Sequence, residues 1–262
     1  MSIIQLIKDN TMNIVLIGSG NVATILGRLI KDTPHKVVQV ISRNSGHAKI
    51  LANKLNCSFT DLEGQLDLTA DLYLFALTDM ALHEMDKLFH LSDKLAVHTG
   101  GSVSKDELQK ISSRYGILYP LQSLYKDMAV IPEIPFLVDG NNDETTMCIE
   151  QFARELSPIV SRTNDEERLK LHVAAVFVNN FTNHLYMQAA EFCEREHLDF
   201  NLLKPLITET AQRILTHSPK DVQTGPASRN DIFTLEKHLR SLTNYPKQKY
   251  LYLKLTDSII NK

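Results

Sequence analysis

Three small residues, Gly18, Gly20 and Ala23, stand at a spacing that lets a chain pass close to two linked phosphates. Gly18 permits a sharp exit from a strand, and Gly20 lacks the Cβ that would occupy the place of a pyrophosphate. Ala23 lets the following helix lie close to the sheet. Ser19, Asn21 and Val22 complete the turn, where the first free backbone N–H groups of a helix face an anion. The surroundings suit this reading. Ile14-Val-Leu-Ile17 is apolar throughout, as in a strand buried on both faces, and a second apolar run follows at Val37-Val-Gln-Val-Ile41. The alternative is a tight strand-to-helix turn without a ligand.

The end of the second strand sharpens the choice of nucleotide. A dinucleotide site reads the adenosine ribose there, and a carboxylate at that point accepts hydrogen bonds from a 2′-hydroxyl. This chain has Ser42-Arg43-Asn44 instead, and no Asp or Glu from Thr33 through Thr60. A carboxylate would repel a 2′-phosphate, whereas Arg43 can pair with one through its planar fork and Ser42 and Asn44 can donate to it. NADP(H) is therefore expected over NAD(H), against the plainer possibility that Arg43 is an ordinary exposed arginine.

Ligands in parallel sheets bind beyond the carboxyl ends of the strands, which places Leu77-Thr78-Asp79 and His98-Thr99-Gly100-Gly101-Ser102 in view. The first stretch could pass the phosphates and ribose, the second the nicotinamide, and Ser102 the substrate. Asp79 could instead be a helix N-cap, and His98 a histidine satisfied at a strand end. Further along, His172, Asn179, Asn180 and Asn183 fall on one arc of a helix at about 100° per residue. Phe177, Val178, Phe181 and Leu185 lie opposite. Buried amides need partners, so this stripe reads either as a cleft-facing site or as a polar network between helices or subunits. In the first case His172 moves a proton and Asn179, Asn180 or Asn183 orients a carbonyl or imine. Tyr119 and Gln122 flank Pro120 at a strand end and could line the same cleft. Arg229 follows a Gly-Pro turn and could hold a carboxylate, while Ser228 and Asp231 fit a capping box.

The elements needed to position these groups can be read from periodicity. Strands are expected at 14–17, 37–41, 57–59, 71–77, 94–97 and 116–119, with helices at 21–31, 45–55, 79–89 and 104–115 between them. Ile134–Val138 and Ile159–Ser161 add strands at the far edge, where their prolines suit edge positions, around a helix at 144–156. This alternation specifies an α/β fold with a doubly wound parallel sheet. From Asn164 no strand pattern recurs. Helices are expected at 165–196, 200–217, 228–242 and 247–260, with a loop over 219–227, so the second domain is all-α. The boundaries read as 12–163 and 164–262.

With 262 residues, 43% of them hydrophobic, the chain can build two cores. A net charge of -3 without a basic tract offers no footprint for nucleic acid or an anionic membrane. Met1–Met12 contains Lys8 and Asp9 and lacks an apolar core of signal-peptide length, and either Met1 or Met12 could be the start. No segment reaches the length of a membrane span. Cys57, Cys148 and Cys193 are scattered and odd in number, which points to a reducing cytoplasm. No H-x-x-x-H or H-E-x-x-H pair supports a metal enzyme.

The glycine turn, Ser42-Arg43, His98-Thr-Gly-Gly-Ser102, Tyr119-Pro-Leu-Gln122, His172–Leu185 and Thr224-Gly-Pro-Ala-Ser-Arg-Asn-Asp231 together resemble a known group. The N-terminal half is similar to the Rossmann domains of pyrroline-5-carboxylate reductase, ketopantoate reductase and deazaflavin-dependent NADP oxidoreductase. Closer is a family of Rossmann-like proteins labelled NADP oxidoreductases, whose C-terminal domain has no assigned function. The resemblance implies a helical second domain of the 6-phosphogluconate dehydrogenase C-terminal type, used for homodimerisation, and an active site in the cleft between domains. It names no substrate. One departure is evident: many β-hydroxyacid dehydrogenases of the superfamily carry a Lys four residues before an Asn on the long helix. Here Ala175 and Val176 precede Asn179 and Asn180. The expectation is an NADP(H)-dependent oxidoreductase acting on a small carbonyl or imine. Its rival is a non-catalytic NADP(H) sensor or dimeric interaction protein.

Overall fold

The computed structural model describes residues 11–261, so most of the Met1–Met12 reading lies outside the described residues. By packing, the chain divides into one unit ending at Val178 and a second beginning at Asn179.

The first unit is built on an eight-stranded sheet in the order β3-β2-β1-β4-β5-β6-β7-β8. Its strands are β1 (Asn13–Ile17), β2 (Lys36–Ile41), β3 (Ser58–Thr60), β4 (Leu72–Phe75), β5 (Leu95–His98), β6 (Arg114–Pro120), β7 (Phe136–Gly140) and β8 (Val160–Arg162). Every pairing is parallel except β6 with β7. The continuous apolar character of β1 follows from layers on both sides. Ile14 and Leu16 enter one core with Ile25, Leu26 and Phe152, and Val15 and Ile17 enter the other with Phe75, Phe89 and Leu108. Helices α1 (Asn21–Lys31), α2 (Ser45–Leu55) and α4 (Asp143–Leu156) cover the first layer. The Asn44 side chain caps α2 by accepting from the His47 N–H, and Asn142 caps α4 in the same way from Thr145.

Two expected helices are much shorter than their periodicity suggested. The 79–89 segment forms only α3 (Asp79–Leu82) and a 3₁₀ turn at Met85–Lys87, and 104–115 forms a 3₁₀ turn at Lys105–Leu108. In the second case local polar groups compete with the helix. The Ser112 hydroxyl bonds the carbonyls of Ser92 and Lys94 and accepts from the Arg114 N–H, fixing a turn where the helix would have continued. β7 is an interior strand rather than an edge, and Pro135 is tolerated because it precedes the strand.

Helix α5 (Asp165–Ala175) closes the first unit and begins with a complete capping box between Asn164 and Glu167. A π-helical segment, Val176–Phe181, continues into α6 (Thr182–Arg195). The second unit adds α7 (Lys204–Arg213), α8 (Ile232–Ser241) and α9 (Pro246–Ile260). Ser228 and Asp231 do not form the expected box. Asp231 is itself the N-cap of α8, accepting from the Thr234 N–H, and the Ser228 hydroxyl donates to the Gly225 carbonyl. No described helix is long and apolar enough to cross a membrane.

Candidate functional site

The glycine turn is held by the ends of three strands. Gly18 has φ +127° and donates its N–H to the Ile41 carbonyl at 2.7 Å. A Cβ there would lie 2.2 Å from the Ala76 carbonyl oxygen, so backbone conformation and space both require glycine. Gly20 differs: a Cβ on it would meet nothing within 4 Å. Neighbouring protein atoms therefore do not explain this glycine, whereas a group seated at the start of α1 would. The first turn of α1 carries no acidic residue, leaving its N–H dipoles free to attract an anion. Ala23 is fully buried and holds α1 close to the sheet, Val22 packs against the same core, and the Asn21 side chain accepts from the Lys126 N–H.

A cavity of about 260 Å³ joins this turn to the end of β2, lined by Gly18, Gly20, Ser42, Arg43 and Asn44. Leu77 and Thr78 form its β4 side. Ser19 donates to the Ser42 hydroxyl at 2.8 Å, tying the two loops together. Arg43 is exposed, and the Asn44 oxygen is used in capping α2, which leaves its amide nitrogen for a ligand. The sequence reading missed Leu62, Ala81 and Met85, which give the same cavity an apolar wall suited to a flat aromatic base. Leu62 sits in an irregular segment and Met85 opens a 3₁₀ turn, so α-helical periodicity does not point either of them at the cavity.

At the end of β5, both ring nitrogens of His98 meet backbone groups. The ring is fully buried, accepts from the Gly100 N–H at Nδ1 and meets the Ser104 carbonyl at Nε2, each at 3.1 Å. With both nitrogens engaged, the ring ties the loop to the end of β5. Burial pushes its pKa down to about 4, with the Arg168 charge adding and the Ser104 bond opposing. Thr99 is also buried, its N–H bonded to the Phe75 carbonyl. Asp79 is not the N-cap of its helix. Thr78 occupies that position, and the Asp79 carboxylate accepts from the Ser102 hydroxyl.

Helix α5 delivers two side chains to this loop. Arg168 is only 1% exposed and bonds the carbonyls of Gly101 and Val103, with a salt bridge to Asp165 at 2.8 Å. One turn later His172 meets Tyr119, with Oη and Nδ1 2.8 Å apart. Gly101 lies against that pair: a Cβ there would come within 2.8 Å of His172 Nδ1 and Tyr119 Cζ. Burial raises the Tyr119 pKa, Arg168 opposes the rise and Asp79 adds to it. Nothing in the sequence signalled Arg168, which stands in the charged run Asp165-Glu-Glu-Arg-Leu-Lys170 and reads as solvated.

Gln122 is exposed and its amide bonds the Glu133 carbonyl. Asn179 and Asn180 belong to the π-helical segment, whose i→i+5 bonding changes the angular step by which they were aligned with His172 and with Asn183 of α6. Arg229 ends a 3₁₀ turn of the second unit, near enough to Asp231 to act on its charge. Among the described residues no group of three His, Cys, Asp or Glu could hold a metal ion.

Residues 134–259 match the family model described as a domain of unknown function, DUF2520. Among solved structures, a Bacteroides fragilis protein provisionally named an NADP oxidoreductase is 37% identical. The alignment covers 96% of this chain and 99% of that one, with a TM-score of 0.89. A Thermotoga maritima protein is 19% identical over 95% of this chain and 100% of its own, with a TM-score of 0.77. The fold extends to an Aspergillus terreus reductive aminase in complex with NADPH and ethyl-5-oxohexanoate. It is 16% identical over 95% of each chain, with a TM-score of 0.66. No curated protein matches the chain.

Proposed function

The chain belongs to the family of the Bacteroides fragilis protein provisionally named an NADP oxidoreductase, Rossmann-type proteins with a C-terminal domain of unknown function, and from that premise we propose that it moves a hydride between NADP(H) and a small carbonyl or imine. The observation that carries this reading is the single cavity joining Gly18 and Gly20 to Ser42, Arg43 and Asn44 without a carboxylate among them. Gly20 leaves room for the pyrophosphate, the α1 N-terminus attracts it, and Arg43 pairs with the 2′-phosphate. When bound, the nicotinamide supplies or accepts the hydride. His98, Thr99 and Gly100 shape the loop beside it, and Gly101 and Ser102 present the bare edge of that loop to the substrate. His172, paired with Tyr119, takes part in moving the proton that accompanies the hydride. Asn179, Asn180, Asn183, Gln122 and Arg229 stay candidates for orienting the substrate.

We assign residues 12–163 to nucleotide binding and 164–262 to substrate binding and dimerisation. The start of the latter contributes Arg168 and His172 to the site. Homodimerisation is supported by the apolar surface of the second unit, where Leu202, Leu206, Leu215 and Phe233 are each at least 60% exposed. A cytoplasmic location is supported by three free cysteines.

Fluorescence titration tests the reading. NADPH should bind more tightly than NADH, and Arg43→Ala should weaken NADPH by about 10- to 100-fold while leaving NADH unchanged, the loss of a charged hydrogen bond of about 1.5–3 kcal/mol. Equal affinities in the wild type remove the 2′-phosphate argument. Tight NADPH binding with no turnover of keto acids, imines or a deazaflavin identifies a sensor instead.

A further inference from the structure

We infer that Tyr119 is the catalytic proton donor of this site and that His172 is the positioning residue behind it, an inference that rests on the oxidoreductase reading above. Tyr119 lies at the carboxyl end of β6, beside β5, on the edge of a parallel sheet where ligands bind. Its hydroxyl is 2.8 Å from His172 Nδ1, and the two rings meet edge to face with centroids 5.9 Å apart.

The pair is built rather than incidental. Gly101 supplies bare backbone where any side chain would strike both partners. Arg168, four residues before His172 on α5, anchors that helix to the carbonyls of Gly101 and Val103, so the imidazole is fixed relative to the loop it faces. His98, the other histidine of the loop, has both nitrogens committed to the backbone. The charged groups acting on Tyr119 are Arg168, already paired with Asp165, and Asp79, bonded to Ser102. A phenol is protonated at neutral pH and burial raises its pKa further, so it holds a proton to give.

In the reducing direction, a hydride from the reduced nicotinamide bonds the substrate carbon as the C=O or C=N π pair moves to the heteroatom. That heteroatom takes the Tyr119 proton. The phenolate so formed takes the Nδ1 proton of His172 as the ring takes a proton from solvent at Nε2. The substrate gains two electrons and two hydrogens, and the nicotinamide is oxidised by the same two electrons.

The test uses the full chain as wild type, Tyr119→Phe and His172→Gln. In the cofactor-free protein, the tyrosinate absorbance titration should lose one component in Tyr119→Phe, and His172→Gln should move that same component. Superimposable wild-type and His172→Gln titrations overturn the pairing. With a cyclic imine and a 2-keto acid as probes, Tyr119→Phe should lower kcat by about 10²- to 10⁴-fold at unchanged NADPH affinity. His172→Gln should lose less and shift the pH profile. A Tyr119→Phe enzyme within threefold of wild-type kcat overturns the assignment, as does a wild type that binds NADPH and reduces neither probe. A wild type that does not bind NADPH overturns the oxidoreductase reading itself, and the absorbance titration still reports whether the pair exists.

Discussion

Phe75 and Phe233 are the same side chain in opposite circumstances. Phe75, in β4, is 0% exposed and packs edge-on to Phe89, whereas Phe233, in α8, is 81% exposed. The contrast holds across the two units. The first buries a β-sheet on both faces, and its strands contribute side chain after side chain at zero exposure. Beyond Val178, the buried hydrophobic residues among those described are Cys193, Ala227, Leu235 and Tyr245. A unit with so little buried apolar area gains little from the hydrophobic effect alone. The sheet unit thus buries its own core, whereas the described residues of the helical unit leave most of their large apolar side chains exposed.

The largest effect expected from this contrast is in the first unit. Phe75→Ala should cost about 3–5 kcal/mol in denaturant unfolding, because removing a buried aromatic loses its transfer energy and leaves a cavity. A cost below about 1 kcal/mol would mean that the sheet layers relax to fill the gap, and the difference between the units would be one of exposure rather than packing.

A second test uses acid. His98 is buried neutral in the folded state with a pKa near 4, against 6.5 as its ordinary value. Below pH 6.5 the unfolded chain takes up a proton that the folded chain refuses. The stability His98 contributes is therefore complete above about pH 6.5 and is lost as pH falls toward 4, by up to about 3 kcal/mol at 1.36 kcal/mol per pH unit. Comparing wild type with His98→Asn by urea unfolding across that range should show a flatter slope in the variant. Identical slopes would place the proton-linked instability elsewhere. The readout is the slope, so a constant loss from the substitution does not disturb it.

How much of this could be read from the sequence follows the same division. The β1–α1 turn was legible because its signals are local: an apolar run, glycines at fixed spacing, and a helix with one apolar side. Arg43 is singled out by an absence, since no Asp or Glu stands from Thr33 through Thr60, and it does line the cavity beside the glycine turn. The Tyr119–His172 pair was not, because its members are 53 residues apart and nothing about either predicts the other. Arg168 was hidden by its charged neighbours, although its partners at Gly101 and Val103 bury it completely enough to shape the loop. The His172–Asn183 stripe was reckoned on a uniform helical period. A π-helical insertion changes the period on which the alignment depended, and no residue type in Val176–Phe181 announces one.

The smallest effects lie in the helical unit, and there the usual ranking of residues should invert. Gly225 has φ +106° with nothing within 4 Å of where a Cβ would sit, so Gly225→Ala meets backbone strain without a clash. It should cost about 1–3 kcal/mol. Phe233→Ala should cost no more than about 0.5 kcal/mol in dilute protein, since an exposed ring gives up little on truncation. A glycine would then matter more to the fold than an aromatic, the reverse of what Phe75 requires. Raising the protein concentration sharpens the point. If the apolar surface is the dimer interface proposed above, Phe233→Ala should become more costly as the dimer populates, because a partner bound only to the folded state adds stability by mass action. Gly225→Ala should not change with concentration. A Phe233→Ala cost independent of concentration, measured alongside sedimentation to report the oligomeric state, would remove Phe233 from any interface.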